Sequence, residues 1–490
     1  MNRLLISAAH KSSGKTTLSI GLCAALRRRG LAVQPFKKGP DFIDPMWLSA
    51  AAGRDCHNLD FFLMGREEIQ RTFSARSRGA DIALIEGNKG LYDGLSLDGS
   101  NSNAALAALL ATPVVLVIAA RGMTRGIAPL ILGYQAFDRN IRIAGVILNQ
   151  LGGLRHEAKL RAVIEHYTDI PVLGAVQYDE RLTIVERHLG LMPSNEATGA
   201  DTRIDYIAER VAASVDIDRL ITIASAVPAL PEFSDKEPSP RPLPHPHPHS
   251  LAREAGEGGE PSALRTAPIR LGVARDAAFA FYYPGDLEAL RTAGAELVPF
   301  DTLRDKSLPK VDALFIGGGF PEVFMDQLEA NTSLRHQVRD AIEAGMPAYA
   351  ECGGLMYLAR SLSWKGRRCD MAGVIPGDIV MHDRPMGRGY VVLHETGRGP
   401  WPSAGPAGEI RAHEFHYSSM ENLSADTVFA YEVRRGSGID GNHDGIVHKN
   451  LLACYAHLRD LDDNHWTKRF VEFVRLCKNQ NIHETADKRR

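Results

Sequence analysis

The run Tyr349-Ala350-Glu351-Cys352-Gly353-Gly354 places a thiol where the backbone is set to change direction. Residues 346–350 are apolar and read as a short buried strand; the spacing of Leu355, Tyr357 and Leu358 reads as a helix beyond it. Glycine permits the tight turn that projects a nucleophile from a strand–elbow–helix unit. A helix N-terminus behind the sulfur favours a thiolate and helps to hold an oxyanion. A lone cysteine beside a Gly-Gly turn reads equally well as a small buried residue. Here His457 lies about a hundred residues downstream as a candidate base, a separation that cysteine hydrolases allow.

A second chemistry opens the chain. Ala9-His10-Lys11-Ser12-Ser13-Gly14-Lys15-Thr16-Thr17 follows an apolar strand at 4–6 and precedes a helical run at 18–29. Backbone N–H groups from Ser12 to Thr17 would cradle phosphate oxygens, aided by the helix dipole. Lys15 would reach the β- and γ-phosphates of ATP, and the Thr16 hydroxyl would bind Mg²⁺. Ala9 stands where the first glycine of such loops is usual. Acids fall at strand ends nearby: Asp41 after 32–36, and Glu86 and Asp93 after 82–85. Mg²⁺ takes a few carboxylates beside phosphate oxygens and water, so Asp41, Glu86 and Asp93 are candidate ligands, direct or through water. Each alone would serve as a helix cap or a solvated loop acid, and Asp44 before Pro45 reads as the most cap-like. Asn149, after the strand at 143–148, reads either as an adenine contact or as a turn cap.

The elements that must position these residues alternate strand and helix. Further strands are expected at 114–118 and 171–176, and in the second half at 269–273, 313–316 and 347–350. Alternation of this kind predicts parallel sheets wrapped by helices, with ligands at the carboxyl ends of the strands. With 490 residues, about two or three domains are expected. The division falls at 227–267, rich in Pro, Ser, Glu and Gly, giving domains at 1–226 and 268–490. Within it, Pro242-Leu243-Pro244-His245-Pro246-His247-Pro248-His249 favours an extended spacer, and its histidines either chelate a metal or are incidental. A net charge of −2 gives no electrostatic case for nucleic acid or an anionic membrane. Six cysteines without CxxC pairing read as reduced thiols. No apolar run spans a membrane, and the N-terminus enters the phosphate loop directly, so a cytoplasmic protein is expected.

Further motifs are Lys38-Gly39-Pro40-Asp41-Phe42-Ile43-Asp44, Asn58-Leu59-Asp60, Glu86-Gly87-Asn88-Lys89-Gly90-Leu91-Tyr92-Asp93-Gly94 and Glu186-Arg187-His188-Leu189-Gly190-Leu191. The second half adds Ala274-Arg275-Asp276, Phe281-Tyr282-Tyr283-Pro284, Gly317-Gly318-Gly319-Phe320-Pro321-Glu322, His413-Glu414-Phe415-His416-Tyr417-Ser418 and Tyr455-Ala456-His457-Leu458. In this order, with the loop and the elbow, they resemble the cobyrinic acid a,c-diamide synthase family over nearly all of the chain except 227–267.

The resemblance implies a dethiobiotin-synthetase-like ATPase domain fused to a class I glutaminase domain. ATP would turn a tetrapyrrole carboxylate into an acyl phosphate, and ammonia would displace phosphate. Cys352 would release that ammonia from glutamine with His457 as base. Asp41, Glu86 and Asp93 would hold Mg²⁺ and orient the substrate carboxylate, with Lys38 and Tyr92 also on the substrate side. Lys37, Lys38, Lys89, Arg121 and Arg125 follow strands and would meet an anionic substrate. The acetates at a and c, shorter than the propionates, are expected to react. A homodimer is left open. Related class I glutaminases carry a glutamate two residues after the histidine; Arg459 stands there, so the third member of the site is unassigned. Asn88-Lys89 replaces the usual Val-Met and resembles relatives acting on sirohydrochlorin or siroheme. A partitioning-type ATPase switch would share the loop but needs no glutaminase half.

Overall fold

The computed structural model describes residues 1–184, 186–187, 190–196, 199–230, 268–402 and 408–487, without the side chains of 186–187, 190–191 and 481–487. The Pro-His run and most of 227–267 lie outside the described residues, as do the side chains of the 186–191 motif. The chain divides into two compact units, Met1–Glu232 with Ala280–Asp286, and Phe233–Phe279 with Leu287–Arg490.

The first unit is built on a seven-stranded sheet of β1 (Asn2–Ala8), β2 (Val33–Lys38), β3 (His57–Leu59), β4 (Ile82–Glu86), β5 (Val114–Ala119), β6 (Ile143–Leu151) and β7 (Val172–Gln177). Its order is β3-β2-β4-β1-β5-β6-β7, parallel throughout. Helices cover both faces of such a sheet, so its strands read as continuous apolar runs; β4 is buried at every position. Arg3 is the buried charge in β1. Its guanidinium is sealed but satisfied by the carbonyls of Leu110 at 2.7 Å and Pro228 at 2.8 Å. α1 (Lys15–Arg28) starts three residues before the apolar pattern suggested, because Gly14 at φ 85° takes the turn into it. The side chains of Leu18, Ile20, Leu22 and Leu26 are buried along it, each contributing about 1.5–3 kcal/mol. Arg27 and Arg28 close it where cations suit the dipole. The carboxyl ends of β1, β2, β4 and β6, and the segments that follow them, carry the expected site residues.

The second unit departs from a purely parallel sheet. Ala295–Phe300, Ile269–Ala274, Ala313–Ile316, Ala348–Glu351 and Leu451–Cys454 are parallel neighbours, as expected of an α/β unit. The same sheet then continues antiparallel through His443–His448, Val428–Arg435, Gly387–Glu395 and Glu409–His416. A separate four-stranded sheet is formed by Arg367–Asp370, Ala359–Trp364, Ile375–Met381 and Ser418–Glu421. These hairpin strands show alternating burial rather than continuous apolar runs, as half-solvated antiparallel strands do. Tyr349 is packed between Phe315 and Trp466, with ring centroids at 5.4 and 4.8 Å, which anchors the strand that delivers the elbow.

Candidate active site

In the first unit the phosphate loop is braced from below. Asn149 Nδ2 donates to the Ser13 carbonyl at 2.9 Å, and a Cβ on Gly14 would sit 2.2 Å from that nitrogen. Gly14 is therefore required by its positive φ and by this close approach. Asn149 is placed as a support of the loop backbone. Ser13 Oγ donates to the His10 carbonyl at 2.7 Å, while Ser12 is exposed with φ 63°. Lys15 is buried, and that burial lowers its pKa; the charges of Glu86, Asp44 and Asp93 oppose the shift.

The acids at the strand ends gather on Lys37. Its Nζ lies 3.0 Å from Glu86 Oε1 and 3.8 Å from Asp41 Oδ2, and it also bonds Asp44. Burial opposes charge on this lysine, but Asp44, Glu86 and Asp41 outweigh it and hold its pKa well above the usual value. Thr16 Oγ1 donates to Glu86 Oε1 at 2.7 Å and lies 3.3 Å from Asp44 Oδ2. Burial raises the pKa of Glu86. Asp41 is pushed up to about 7 by burial and by the neighbouring Asp44.

The helix cap expected of Asp44 is supplied by Asp41. Asp41 Oδ1 accepts from the backbone N–H of Ile43 at 2.9 Å and of Asp44 at 3.3 Å, so it caps α2 (Ile43–Ala52). Asp44, the residue before Pro45, turns to Lys37 and Thr16 instead. Asp93 accepts from Gly90 N–H at 2.9 Å and steadies its own loop. Among the described residues no group of three or more His, Cys, Asp or Glu is arranged as a metal site, and the Lys37 ammonium sits among these carboxylates. The donor set still suits a hard cation: Thr16, Asp44 and Glu86 offer oxygen, and the buried Glu86 Oε2 has no hydrogen-bond partner among the described residues.

Of the remaining residues expected to face substrate, Lys38, Tyr92, Arg121 and Arg125 each have partners of their own. Lys38 Nζ donates to Asn88 Oδ1 at 3.2 Å, and burial lowers its pKa to about 8. Tyr92 donates its hydroxyl to the Tyr134 carbonyl at 2.6 Å and packs on Phe137, a brace rather than an open donor. Arg121 and Arg125 lie over the rings of Tyr178 and Tyr167. Two organisers are given no role by the sequence: Asn103, which no motif includes, and Asn58, present only within the Asn58-Leu59-Asp60 motif. Asn103 Nδ2 bonds the Gly90 carbonyl at 2.8 Å and Ser7 Oγ at 3.2 Å, tying the 86–94 loop to β1. Asn58 Nδ2 holds the carbonyls of Gly39 and Asp41, each at 2.8 Å.

In the second unit Cys352 sits between the strand Ala348–Glu351 and the helix Gly353–Leu358, at φ 46° and ψ −102°. This is a sparsely populated backbone for a non-glycine residue, held by its surroundings. A Cβ on Gly354 would lie 2.0 Å from the Ile316 carbonyl oxygen, one on Gly353 2.9 Å from Gly319 N, and one on Gly319 1.9 Å from the Ala278 oxygen. Three stretches of backbone thus meet with no room for side chains. Cys352 N–H donates to the Cys454 carbonyl at 2.7 Å, and Sγ is 3.9 Å from the Phe415 carbonyl.

Cys352 is 6% exposed. Burial pushes its pKa up, with Glu322 adding to the shift, so it rests protonated; the thiolate expected from the helix terminus is outweighed by desolvation. His457 is buried and stacked on His413 with centroids at 4.9 Å; its Nδ1 lies 3.3 Å from Glu351 Oε2. Glu351 Oε1 accepts from Tyr349 O–H at 2.6 Å and from Leu458 N–H at 2.9 Å. Asp444 accepts from the N–H groups of Tyr455 at 3.0 Å and Ala456 at 2.9 Å, fixing the backbone just before His457. Its pKa is raised to about 6 by burial, against those bonds.

Comparison with known proteins assigns both units. Residues 5–191 match the CobQ/CobB/MinD/ParA nucleotide binding domain, and residues 270–464 match the CobB/CobQ-like glutamine amidotransferase domain. A cobyrinate a,c-diamide synthase of Magnetococcus marinus is 47% identical, covering 96% of this chain and 97% of its own. The chain belongs to the cobyrinate a,c-diamide synthase family. Relatives with the same description in Methanosarcina acetivorans (42% identical, covering 93% of this chain and 92% of theirs) and Archaeoglobus fulgidus (40%, covering 96% and 97%) agree. Like the rest of the cobyrinate a,c-diamide synthase family, it is an ATP-dependent, glutamine-hydrolysing amidoligase, with a P-loop parallel-sheet domain and a class I glutamine amidotransferase domain. Among the described residues no helix is long and apolar enough to cross a membrane, and all six cysteines are free thiols.

Proposed function

We propose that the chain converts the a- and c-acetate carboxylates of cobyrinate into amides, with ATP activating each carboxylate as an acyl phosphate and glutamine supplying ammonia. The observation that carries this reading is one chain holding a buried loop lysine among strand-end acids and an elbow cysteine beside a buried His–Glu pair, at 47% identity to a cobyrinate a,c-diamide synthase. In the glutaminase unit, His457 takes the Sγ proton of Cys352, the sulfur bonds to the side-chain carbonyl carbon of glutamine, and the amide nitrogen leaves as ammonia after receiving that proton. Water then cleaves the thioester to glutamate.

In the nucleotide unit the substrate carboxylate attacks the γ-phosphorus and ADP leaves; ammonia then displaces phosphate. Lys15, whose burial disfavours its charge until an anion arrives, neutralises the transferring phosphoryl group. Thr16, Asp44 and Glu86 would hold Mg²⁺, which when bound spreads the phosphate charge. Lys38 is suited to meet a substrate carboxylate beside Asn88. The second reading, amidation of sirohydrochlorin or siroheme, rests on Asn88. Mass spectrometry of products formed with ATP and glutamine from cobyrinate, hydrogenobyrinate, sirohydrochlorin and siroheme tests both. Two amide substitutions on a cobyrinate-type substrate are expected. Four or more substitutions, or none on any of them, would refute the proposal.

A further inference from the structure

We infer that Glu351, the residue immediately before the nucleophile, is the positioning carboxylate of the glutaminase site, doing what Arg459 cannot. The inference rests on the glutaminase reading of Cys352 and His457 and adds the member that sequence spacing left open.

The geometry is closed on three sides. The side chains of Glu351 and His457 are 5% and 3% exposed, with Glu351 Oε2 3.3 Å from His457 Nδ1. The other oxygen, Oε1, is taken by two donors, Tyr349 O–H and Leu458 N–H. Tyr349 reaches it because residues i and i+2 of a strand share a face. His457 reaches it because Glu351 pairs in register with Cys454, three residues earlier in the chain. A carboxylate oxygen can only accept a hydrogen bond. The ring must therefore carry its proton on Nδ1 and present Nε2 as the base. Because the Cys352 thiol rests protonated, the reaction begins with proton removal, and the tautomer of His457 decides whether it can begin.

Glu351→Gln isolates this role. The amide oxygen would keep the Tyr349 and Leu458 donors, which leaves its NH₂ facing Nδ1. The ring would then shift its proton to Nε2 and lose the base. Glutamine-driven kcat should fall on the order of 10²–10⁴-fold, with KM for glutamine changed less than about threefold. Ammonia-driven amidation in the same preparation reports that the ATP-using half is folded. Glu351→Asp should recover part of the rate by restoring the charge. Tyr349→Phe, which removes only a bond to Oε1, should lose less than about tenfold. An independent reading needs no variant: the ¹⁵N shifts of the His457 ring in the intact chain should report Nδ1–H. An Nε2–H ring would overturn the inference, as would a Glu351→Gln rate within threefold of wild type while Cys352→Ala is inactive with glutamine. If Cys352→Ala itself keeps glutamine-driven turnover, the glutaminase reading fails, and the two failures are thereby told apart.

Discussion

Replacing Lys37 with methionine keeps most of the side-chain volume and deletes one charge from the centre of the acidic cluster. Lys37 is 4% exposed and faces Glu86 at 0%, Asp44 at 16% and Asp41 at 35%. Without the ammonium, Glu86 and Asp44 are left facing each other where water scarcely enters, with the more open Asp41 beside them. Removing one partner of a buried ion pair costs about 3–5 kcal/mol, which for a unit of this size lowers Tm by about 6–20 °C. The pH dependence has a definite sign. Glu86 and Asp41 already have raised pKa values, Asp41 up to about 7. An acid with a raised folded pKa binds in the native state a proton that the unfolded chain releases. Stability then falls as pH rises from the ordinary carboxylate range to about 7. Losing Lys37 raises both values further, so the deficit should be largest above pH 7 and narrow as pH falls toward 5. The assay is thermal unfolding of the full chain from pH 5 to 8.5, with and without Mg²⁺; the cation should recover part of the loss at pH 8. A Tm within about 2 °C of wild type at pH 8, or a deficit that grows on acidification, would refute the reasoning.

Lys15→Ala should lower amidation at least about 10²-fold with glutamine and with ammonia alike, because the missing charge acts on the phosphoryl group and not on the nitrogen donor; phosphate release measured with each nitrogen source checks this. Gly354→Ala drives a methyl to 2.0 Å from the Ile316 carbonyl, and backbone cannot step aside as a side chain can. It should destabilise the second unit by about 1–3 kcal/mol and abolish glutamine hydrolysis, read from a melting curve and from glutamate production.

What the sequence made legible was local. The phosphate loop and the elbow each lie within about ten residues, and strand, glycine and helix signals there agree with one another. Most of α1 and most of the parallel strands followed from apolar period in the same way; His57–Leu59, Ala295–Phe300 and Leu451–Cys454 did not. What stayed hidden depends on pairing across the chain. Glu351 gains its role only when Cys454 pairs with it and brings His457 round. That Asp41 and not Asp44 caps α2 turned on which carboxylate bends back to it, a matter of rotamer that the neighbouring proline did not settle. Asn58 and Asn103 bind loop carbonyls and leave no periodic trace. The antiparallel half of the second sheet was missed because its alternating strands carry weaker signals than the buried parallel ones.

The elbow's crowding has a consequence for the enzyme at rest. Cys352 is pinned in a strained backbone, nearly sealed from solvent, with its pKa raised by desolvation. Oxidants and alkylating agents attack thiolates that they can reach, and this sulfur is neither ionised nor open. On the proposed mechanism its reactivity is conditional: proton removal by His457 would have to coincide with a bound amide. On that reading, the burial that slows the first step would also spare the sulfur from peroxide and stray electrophiles between turnovers.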